Sequence, residues 1–182
     1  ISSDPERIKN YAQIIKDENN RLKNQVDKVL QLATLEIDKL KLENELIDLH
    51  EIINETVKSF ELIIEHQQGR ITLMLGAKNP QIIGDRVHIS NILFNLIDNA
   101  IKYSPEHPRI EISTDNYYSG IEIMVKDNGI GISKENQKYV FEKFYRVPTG
   151  NVHNIKGFGL GLNYVHTIVK AYHGKVKISS KE

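Results

Sequence analysis

The sequence contains no cysteine among its 182 residues. Disulfides and metal sites held by thiolates, such as structural zinc sites and iron–sulfur clusters, are therefore excluded. The absence of cysteine is compatible with a reducing compartment but does not require one.

The chain also lacks an excess of charge and a long apolar run. Its 24 basic residues balance its 24 acidic residues, so the formal net charge is zero. General nucleic-acid and membrane-surface binders usually carry a basic excess, and we therefore expect no nucleic-acid partner. No apolar run approaches the roughly 20 residues that cross a bilayer. The N-terminus ISSDPERIKN does not resemble a signal peptide.

The length suits one ordinary globular domain with an appendage. The chain starts at Ile1 rather than at an initiator Met, and it ends in the strand-like VKISSKE. We therefore expect it to be a fragment of a longer protein.

A seven-residue apolar repeat runs through the polar segment from 5 to 45. The repeat consists of Ile8, Ile15, Leu22 and Val29. Such spacing is typical of a helix that packs against other helices in a bundle or coiled coil. The sequence therefore predicts a long N-terminal helix.

After Leu46 the pattern changes to a mixture of helix and strand signals. Alternating apolar residues predict strands at 71–75, 109–114 and 121–127 and from 175 onward, the middle two being paired across a turn. Helical spacing predicts helices over 53–64, 85–103, about 134–145 and 162–172, with Asp85 as an N-cap. Helices mixed with antiparallel strands predict an α+β fold, a two-layer α/β sandwich with helices on one sheet face.

The predicted helix that ends at Tyr103 carries an unusual polar face. Asn95, Asn99 and Lys102 recur at i, i+4 and i+7, so their side chains project from one side. An asparagine oxygen is a neutral hard ligand that suits Mg²⁺, and a lysine one turn along can neutralise phosphate. Taken alone, the same pattern also fits the solvated side of a surface helix.

Two glycine-containing segments follow. In DNGIG at 127–131, Asp127 can accept a hydrogen bond from an exocyclic amine, and the glycines let the backbone approach a flat base. The same segment is also how many strands end in a turn. In GFGLGL at 157–162, three alternate glycines expose backbone N–H groups where a helix begins, which favours an anion site over a flexible linker. Neither the P-loop nor the Rossmann glycine spacing is present.

The three segments stand in the order of the N box, G1 box and G2 box, and FEKFYR at 141–146 resembles an F box. On these motifs the chain resembles a bacterial two-component sensor histidine kinase of the GHKL ATP-binding superfamily. Residues 46–182 resemble its catalytic ATP-binding domain. Residues 1–45 resemble the second helix of its dimerisation and phosphoacceptor hairpin.

The resemblance implies a Bergerat fold that binds ATP and Mg²⁺ beneath a mobile lid at about 130–160. It implies Asn99 and Asn95 as metal ligands, and Asn95, Lys102 and Arg146 as catalytic residues. The nucleotide contacts that it implies are Asn95, Asn99, Lys102, Tyr103, Asp127, Gly129, Gly131, Ile132, Lys143, Arg146, Gly157, Phe158, Gly159, Leu160, Gly161 and Leu162.

Within this superfamily the residue at position 95 favours phosphoryl transfer over hydrolysis. The hydrolytic members carry a glutamate there that activates water, whereas a neutral asparagine cannot accept that proton. By the resemblance, the phosphate passes to a histidine and then to the receiver domain of a response regulator. The same resemblance implies a homodimeric parent protein in which this chain is cytoplasmic. Any attachment to the inner membrane would be made by parts of the parent protein outside this chain.

The phosphoacceptor motif of the family, H-E-x-x-T-P, is missing from the sequence. None of the seven histidines continues it, although His50 is followed by Glu51. We therefore expect the acceptor to lie upstream of Ile1 and the chain alone to bind Mg-ATP without phosphorylating itself. Two alternatives remain, a nucleotide-binding interaction module without transfer activity and a serine kinase of the anti-sigma-factor type. The N-terminal helix argues against the second.

Overall fold

The computed structural model describes residues 11–13, 15–16, 18–19, 41–104, 106–118, 120–147 and 158–182. The chain divides into two compact units, Ile1–Leu40 and Lys41–Glu182. In the first unit all described residues between 11 and 19 are helical, and Tyr11 and Ile15 are exposed. The other positions of the predicted apolar repeat, Ile8, Leu22 and Val29, lie outside the described residues. Among the described residues, no helix combines the length and the apolar character needed to cross a membrane.

The second unit contains two small sheets. β1 (Glu45–Asp48) pairs antiparallel with β3 (Gln81–Gly84). In the other sheet β2 (Arg70–Leu75) pairs parallel with β4 (Arg109–Tyr117), and β4 pairs antiparallel with β5 (Gly120–Lys126). The predicted strands at 71–75, 109–114 and 121–127 are thus confirmed. The expectation of antiparallel strands holds for β4–β5 and is wrong for β2–β4.

Helices cover one face of the three-stranded sheet. The α-helices are α1 (Leu49–Ser59), α2 (Glu61–His66), α3 (Arg86–Lys102) and α4 (Gly161–Ala171), and a short 3-10 helix spans Asn136–Lys138. The central helix α3 contacts α1, α4, β4 and β5. Fully buried side chains fill the space between the layers; they include Ile52, Ile53, Leu93, Ile97, Ile110, Ile112 and Ile168. This is the predicted α+β fold.

The helix α3 forms where its capping residues predict it. The Asp85 carboxylate accepts the N–H of His88 at 3.0 Å, which satisfies one of the free donors of the first turn. The helix ends at Tyr103, whose N–H still reaches the carbonyl of Asn99. The apolar residues of α3 are buried on one side of the helix, and Asn95 and Asn99 lie on the other side.

Three predicted elements differ from the structure. The helix predicted over 53–64 is two helices that meet at Phe60, because the Phe60 N–H donates to the carbonyl of Val57, three residues earlier, at 2.9 Å and closes the first helix with a tighter turn. Of the helix predicted at 134–145 only the 3-10 turn forms, and the positive φ of 66° at Phe144 excludes that residue from a helix. The strand predicted from 175 is wrong, because the described residues from 174 to 182 carry no strand. The short strands β1 and β3 were not predicted.

Candidate functional site

The polar face of α3 lies between the two glycine-containing segments. Asn95 and Asn99 are half-buried, and Lys102 is exposed. The segment 158–162 lies at the Asn95 end of this face, where Gly161 contacts Asn95, and the loop 127–131 lies at the Tyr103 end, where Ile130 contacts Tyr103. The structure therefore brings the three predicted motifs together along one helix.

At the Asn95 end, α4 begins directly against α3. The Asn95 amide donates to the carbonyl of Asn91 at 2.7 Å, and its oxygen lies against Gly161. A Cβ at Gly161 would stand 2.7 Å from that oxygen, so a residue with a side chain there would have to displace the Asn95 side chain. Leu160, which precedes α4, provides no side-chain cap, so the first N–H groups of α4 have no cap from that residue.

At the other end, the loop 127–131 lies against the last turn of α3. The N–H of Ile130 donates to the carbonyl of Tyr103 at 3.0 Å. A Cβ at Gly129 would stand 2.9 Å from the same carbonyl oxygen, so the loop passes too close for a side chain. Glycine at 129 is therefore required by the contact with the helix.

Asp127 holds its own loop with only one of its carboxylate oxygens. Oδ1 accepts the N–H of Gly129 at 2.8 Å. Within the part of the chain that the structure describes, Oδ2 has no hydrogen-bond partner, and the residue is exposed. One strong acceptor is therefore presented at this end of the polar face.

The loop continues onto the C-terminal segment. Gly131 has a φ of 76°, and a Cβ there would stand 2.0 Å from the carbonyl oxygen of Lys181. The N–H of Ile132 donates to Ser180 Oγ at 3.0 Å, and Gln137 donates to the Ser180 carbonyl at 3.0 Å. These contacts occupy the residues for which the sequence predicted a strand.

The predicted F-box and G2-box segments contact each other. The N–H of Phe144 donates to the carbonyl of Gly159 at 3.0 Å, and both residues have a positive φ. Asn163 on α4 donates to the carbonyl of Phe141 at 2.8 Å. Leu160 is buried, Leu162 is half-buried, and the Phe158 side chain is 47% exposed. Gly157 lies outside the described residues.

The cations predicted at the site are not gathered at one point. Lys102 forms an ion pair with Asp98, one turn earlier on α3. Lys143 and Arg146 lie exposed in the segment that precedes α4. A polyanion at the polar face would therefore have to draw these side chains toward it.

A hydrogen-bond network fixes the start of α3 away from this face. Tyr172, at the end of α4, accepts the N–H of Asp85 at 2.8 Å and donates to Asn44 Oδ1 at 3.0 Å. Burial alone would raise the pKa of Asp85, but hydrogen bonds from the N–H groups of His88 and Glu43 outweigh burial, so the pKa lies below its ordinary value of 3.8. Burial also raises the pKa of the Tyr172 hydroxyl, which therefore remains a donor at neutral pH.

Sequence reasoning missed one residue that shapes the site. Asn128 accepts the N–H of Arg109 at 2.7 Å and the hydroxyl of Ser104 at 3.3 Å. Its side chain thus ties the loop 127–131 to the sheet and to the end of α3. The sequence signal for this role was the position of Asn128 directly after the strand predicted at 121–127, where an asparagine side chain can take the place of a backbone hydrogen-bond partner.

With this geometry established, the comparison with known families is decisive. Residues 84–182 match the family of histidine kinase-, DNA gyrase B- and HSP90-like ATPases. The chain belongs to this family, and its class is the catalytic ATP-binding domain of two-component sensor histidine kinases. The resemblance inferred from the four motifs is thereby confirmed.

The relatives include named sensor proteins. The sensor protein RprX of Bacteroides fragilis (strain YCH46) is 43% identical over 183 residues, covering 100% of this chain and 35% of RprX. Full-length ShkA in complex with AMPPNP shares the fold, with a TM-score of 0.78, 21% identity, and coverage of 90% of this chain and 34% of ShkA. Histidine kinase ThkA in complex with the response regulator protein TrrA gives a TM-score of 0.67, 26% identity, and coverage of 95% and 47%. The chain therefore spans less than half the length of each of these relatives.

Proposed function

We propose that the chain supplies the ATP-binding and catalytic part of a sensor histidine kinase, which transfers the γ-phosphate of Mg-ATP to a histidine. The observation that carries this proposal is the polar face of α3, closed at one end by the loop 127–131 and at the other by Gly161. Asn95 and Tyr103 are eight residues apart on this helix, or about 12 Å along its axis. The nucleotide lies along that face, with its base at the Tyr103 end.

The base end is defined by Asp127. Its Oδ2 has no partner among the described residues and can accept the exocyclic amine of adenine. Gly129 and Gly131 let the loop pack against the carbonyls of Tyr103 and Lys181, which holds Asp127 at this end. Tyr103 and Ile132 flank this end, and both are half-buried.

The phosphate end offers neutral oxygen ligands and backbone N–H groups. Asn99 fits Mg²⁺ better than Asn95 does, because its side chain has no hydrogen-bond partner in the described ranges, whereas the oxygen of Asn95 lies against Gly161. Asn99, with Asn95 beside it, would hold Mg²⁺, which would supply positive charge to the phosphates. The N–H groups at the start of α4, including those of Leu160, Gly161 and Leu162, face the same anion. Lys102 supplies positive charge by leaving Asp98, and Lys143 and Arg146 do so by closing the segment over the phosphates.

The residue at position 95 supports transfer rather than hydrolysis. The amide of Asn95 donates to a backbone carbonyl and has no basic atom that could take a proton from water. Rate acceleration then rests on holding the γ-phosphate in place and neutralising its charge, which suits a nucleophile delivered by a protein side chain.

The acceptor histidine is proposed to lie outside this chain. His50, the residue followed by glutamate, is half-buried and its Nε2 lies 2.8 Å from Thr114 Oγ1, a contact that does not suit an exposed nucleophile. Residues 1–45 are proposed as the second helix of the dimerisation hairpin, and 46–182 as the catalytic domain. By analogy with ThkA and TrrA, the phosphate passes to a response-regulator receiver domain, in a homodimeric cytoplasmic kinase attached to the inner membrane through other parts.

The proposal is tested in two steps with the chain itself. A non-hydrolysable ATP analogue should bind in calorimetry, and omission of Mg²⁺ should weaken binding by about tenfold or more. With labelled ATP, the chain alone should acquire no acid-labile, alkali-stable label, whereas a separately supplied hairpin with an H-E-x-x-T-P motif should acquire it. Acid-labile label on the chain alone would contradict the assignment of the acceptor. Binding of the analogue without transfer to the hairpin would favour the nucleotide-binding interaction module instead.

A further inference from the structure

Asn128 marks the point where the chain leaves the sheet. The β4–β5 ladder ends with the pair Glu111–Lys126. Extending that antiparallel register by two residues along each strand places Asn128 opposite Arg109, the first residue of β4. The β4–β5 ladder does not extend to this position, so the backbone of Asn128 does not pair with that of Arg109.

The side chain of Asn128 takes the place of the missing backbone partner. Its Oδ1 accepts the N–H of Arg109 at 2.7 Å, as a strand carbonyl would. The same oxygen accepts the Ser104 hydroxyl at 3.3 Å, and Nδ2 makes a long contact of 3.5 Å with the His107 carbonyl. One side chain thus connects the loop to the end of α3, to the connection after it and to the first residue of β4.

Because the Asn128 side chain takes the place of the backbone partner, the backbone of the loop can cross to α3. The N–H of Ile130 then reaches the Tyr103 carbonyl at 3.0 Å, and the N–H of Gly129 reaches Asp127 Oδ1 at 2.8 Å. The orientation of the Asp127 carboxylate follows from the second of these bonds. The direction in which Oδ2 points is therefore set by the loop path that Asn128 anchors.

We infer that Asn128 is a positioning residue for base selectivity: without touching the nucleotide, it aims Asp127 Oδ2 at the exocyclic amine of adenine. This inference rests on the proposed function, since it assumes that the base lies at the Tyr103 end of α3. It goes beyond that function because two residues then determine the selectivity for an amino-purine. Asp127 contacts the base, and Asn128 holds the loop 127–131 that orients Asp127.

The test compares two nucleotides on the intact chain. One is a non-hydrolysable ATP analogue, and the other is the same molecule with hydrogen in place of the 6-amino group. A hydrogen bond to a charged acceptor contributes about 1.5–3 kcal/mol, so the wild-type chain should prefer the amino form by roughly tenfold or more. Asn128→Leu, which keeps the branching of the side chain but cannot accept, should lose most of this preference. It should bind the amino form about tenfold more weakly and the desamino form within about twofold of the wild type.

Two further variants separate positioning from general stability. Asn128→Asp keeps an acceptor for the N–H of Arg109 and should keep the preference within about threefold. Asn116→Leu is the matched control, because Asn116 Oδ1 accepts the N–H of Lys78 at the same 2.7 Å near the opposite end of β4. Its preference should equal that of the wild type. Unfolding midpoints of all variants show whether any binding loss follows loss of structure.

The outcomes are distinguishable. Equal weakening of both nucleotides by Asn128→Leu would show a merely structural role and overturn the inference. Binding of both nucleotides by the wild-type chain without preference would also overturn it while leaving ATP binding intact. Absence of any binding would overturn the proposed function itself. If Asn128→Leu does not fold, Asn128→Ala removes the same acceptor of the Arg109 N–H with a smaller side chain, and an unchanged preference in that variant would count against the inference.

Discussion

Gly161 is the residue at which α4 comes closest to α3. Any Cβ there would stand 2.7 Å from Asn95 Oδ1, closer than a Cβ carbon approaches a nonbonded oxygen. In an α-helix alanine is favoured over glycine by about 1 kcal/mol, and this gain offsets the cost of displacing Asn95, so Gly161→Ala should leave the unfolding temperature nearly unchanged. The added methyl group should displace Asn95 or α4 and weaken a non-hydrolysable ATP analogue by about tenfold in calorimetry.

The matched control for this substitution is Gly120→Ala. The nearest atom to a Cβ at Gly120 is the Tyr117 carbonyl oxygen at 3.8 Å, an ordinary contact. That variant should bind the analogue as the wild type does. If Gly161→Ala also binds normally, the contact between α4 and Asn95 does not shape the nucleotide site.

At the residue scale, the sequence predicted the conspicuous positions and missed the anchoring ones. Asn95, Asn99 and Asp127 stand out because their spacing and their neighbouring glycines are local features of the chain. The role of Asn128 depends on the N–H of Arg109, a partner 19 residues away. Such a bond follows from the register of β4 and β5, which single-residue patterns do not contain.

At the scale of the element, α3 depends on a cap that also binds the entering chain. The Asp85 carboxylate accepts N–H groups from His88 and from Glu43, both at 3.0 Å. Asp85→Asn keeps one acceptor and loses the other, so it should lower the free energy of unfolding at pH 7 by about 1 kcal/mol. Denaturant unfolding measured by circular dichroism would show the difference.

The pH dependence of that difference follows from the lowered pKa of Asp85. A carboxyl group whose pKa is lower in the folded state stabilises the fold above its unfolded pKa, here near 3.8, and this stabilisation is lost as pH falls through the folded value. The gap between wild type and Asp85→Asn should therefore narrow below about pH 4. Asp115→Asn, at an exposed site in β4, is the control and should change the unfolding free energy by less than about 0.5 kcal/mol at pH 7. A gap that stays constant down to pH 2 would contradict this account.

Elements with their own start and stop signals were predictable, and those made by tertiary contact were not. The helix α3 has a capping aspartate and a clear apolar face, and β4 and β5 alternate along their length. The strands β1 and β3 have four residues each and exist through pairing with one another. Phe60, at the break between α1 and α2, packs its buried ring against Phe94, which comes from a different helix.

At the scale of the whole molecule, the beginning of the ATP-binding unit involves residues that the sequence assigned to the N-terminal helix. The catalytic domain is proposed to start at 46, and the second compact unit of the structure begins at Lys41. Glu43 donates its N–H to Asp85, and Asn44 accepts the Tyr172 hydroxyl at 3.0 Å. The segment 41–45 therefore links the start of α3 to the end of α4.

A chain beginning at Lys41 should consequently fold and bind the ATP analogue within about twofold of the full chain. A chain beginning at Leu46 leaves Tyr172 and Asp85 without these partners, which should cost about 1–3 kcal/mol and lower Tm by several degrees. The substitution Tyr172→Phe provides the control, since in the longer chain it removes the bond to Asn44 together with the bond from the N–H of Asp85. Because both changes remove the same contact, their combined effect on the unfolding free energy should be smaller than the sum of the two separate effects. Full additivity, or equal Tm values for the chains beginning at 41 and 46, would show that the segment 41–45 does not stabilise the unit.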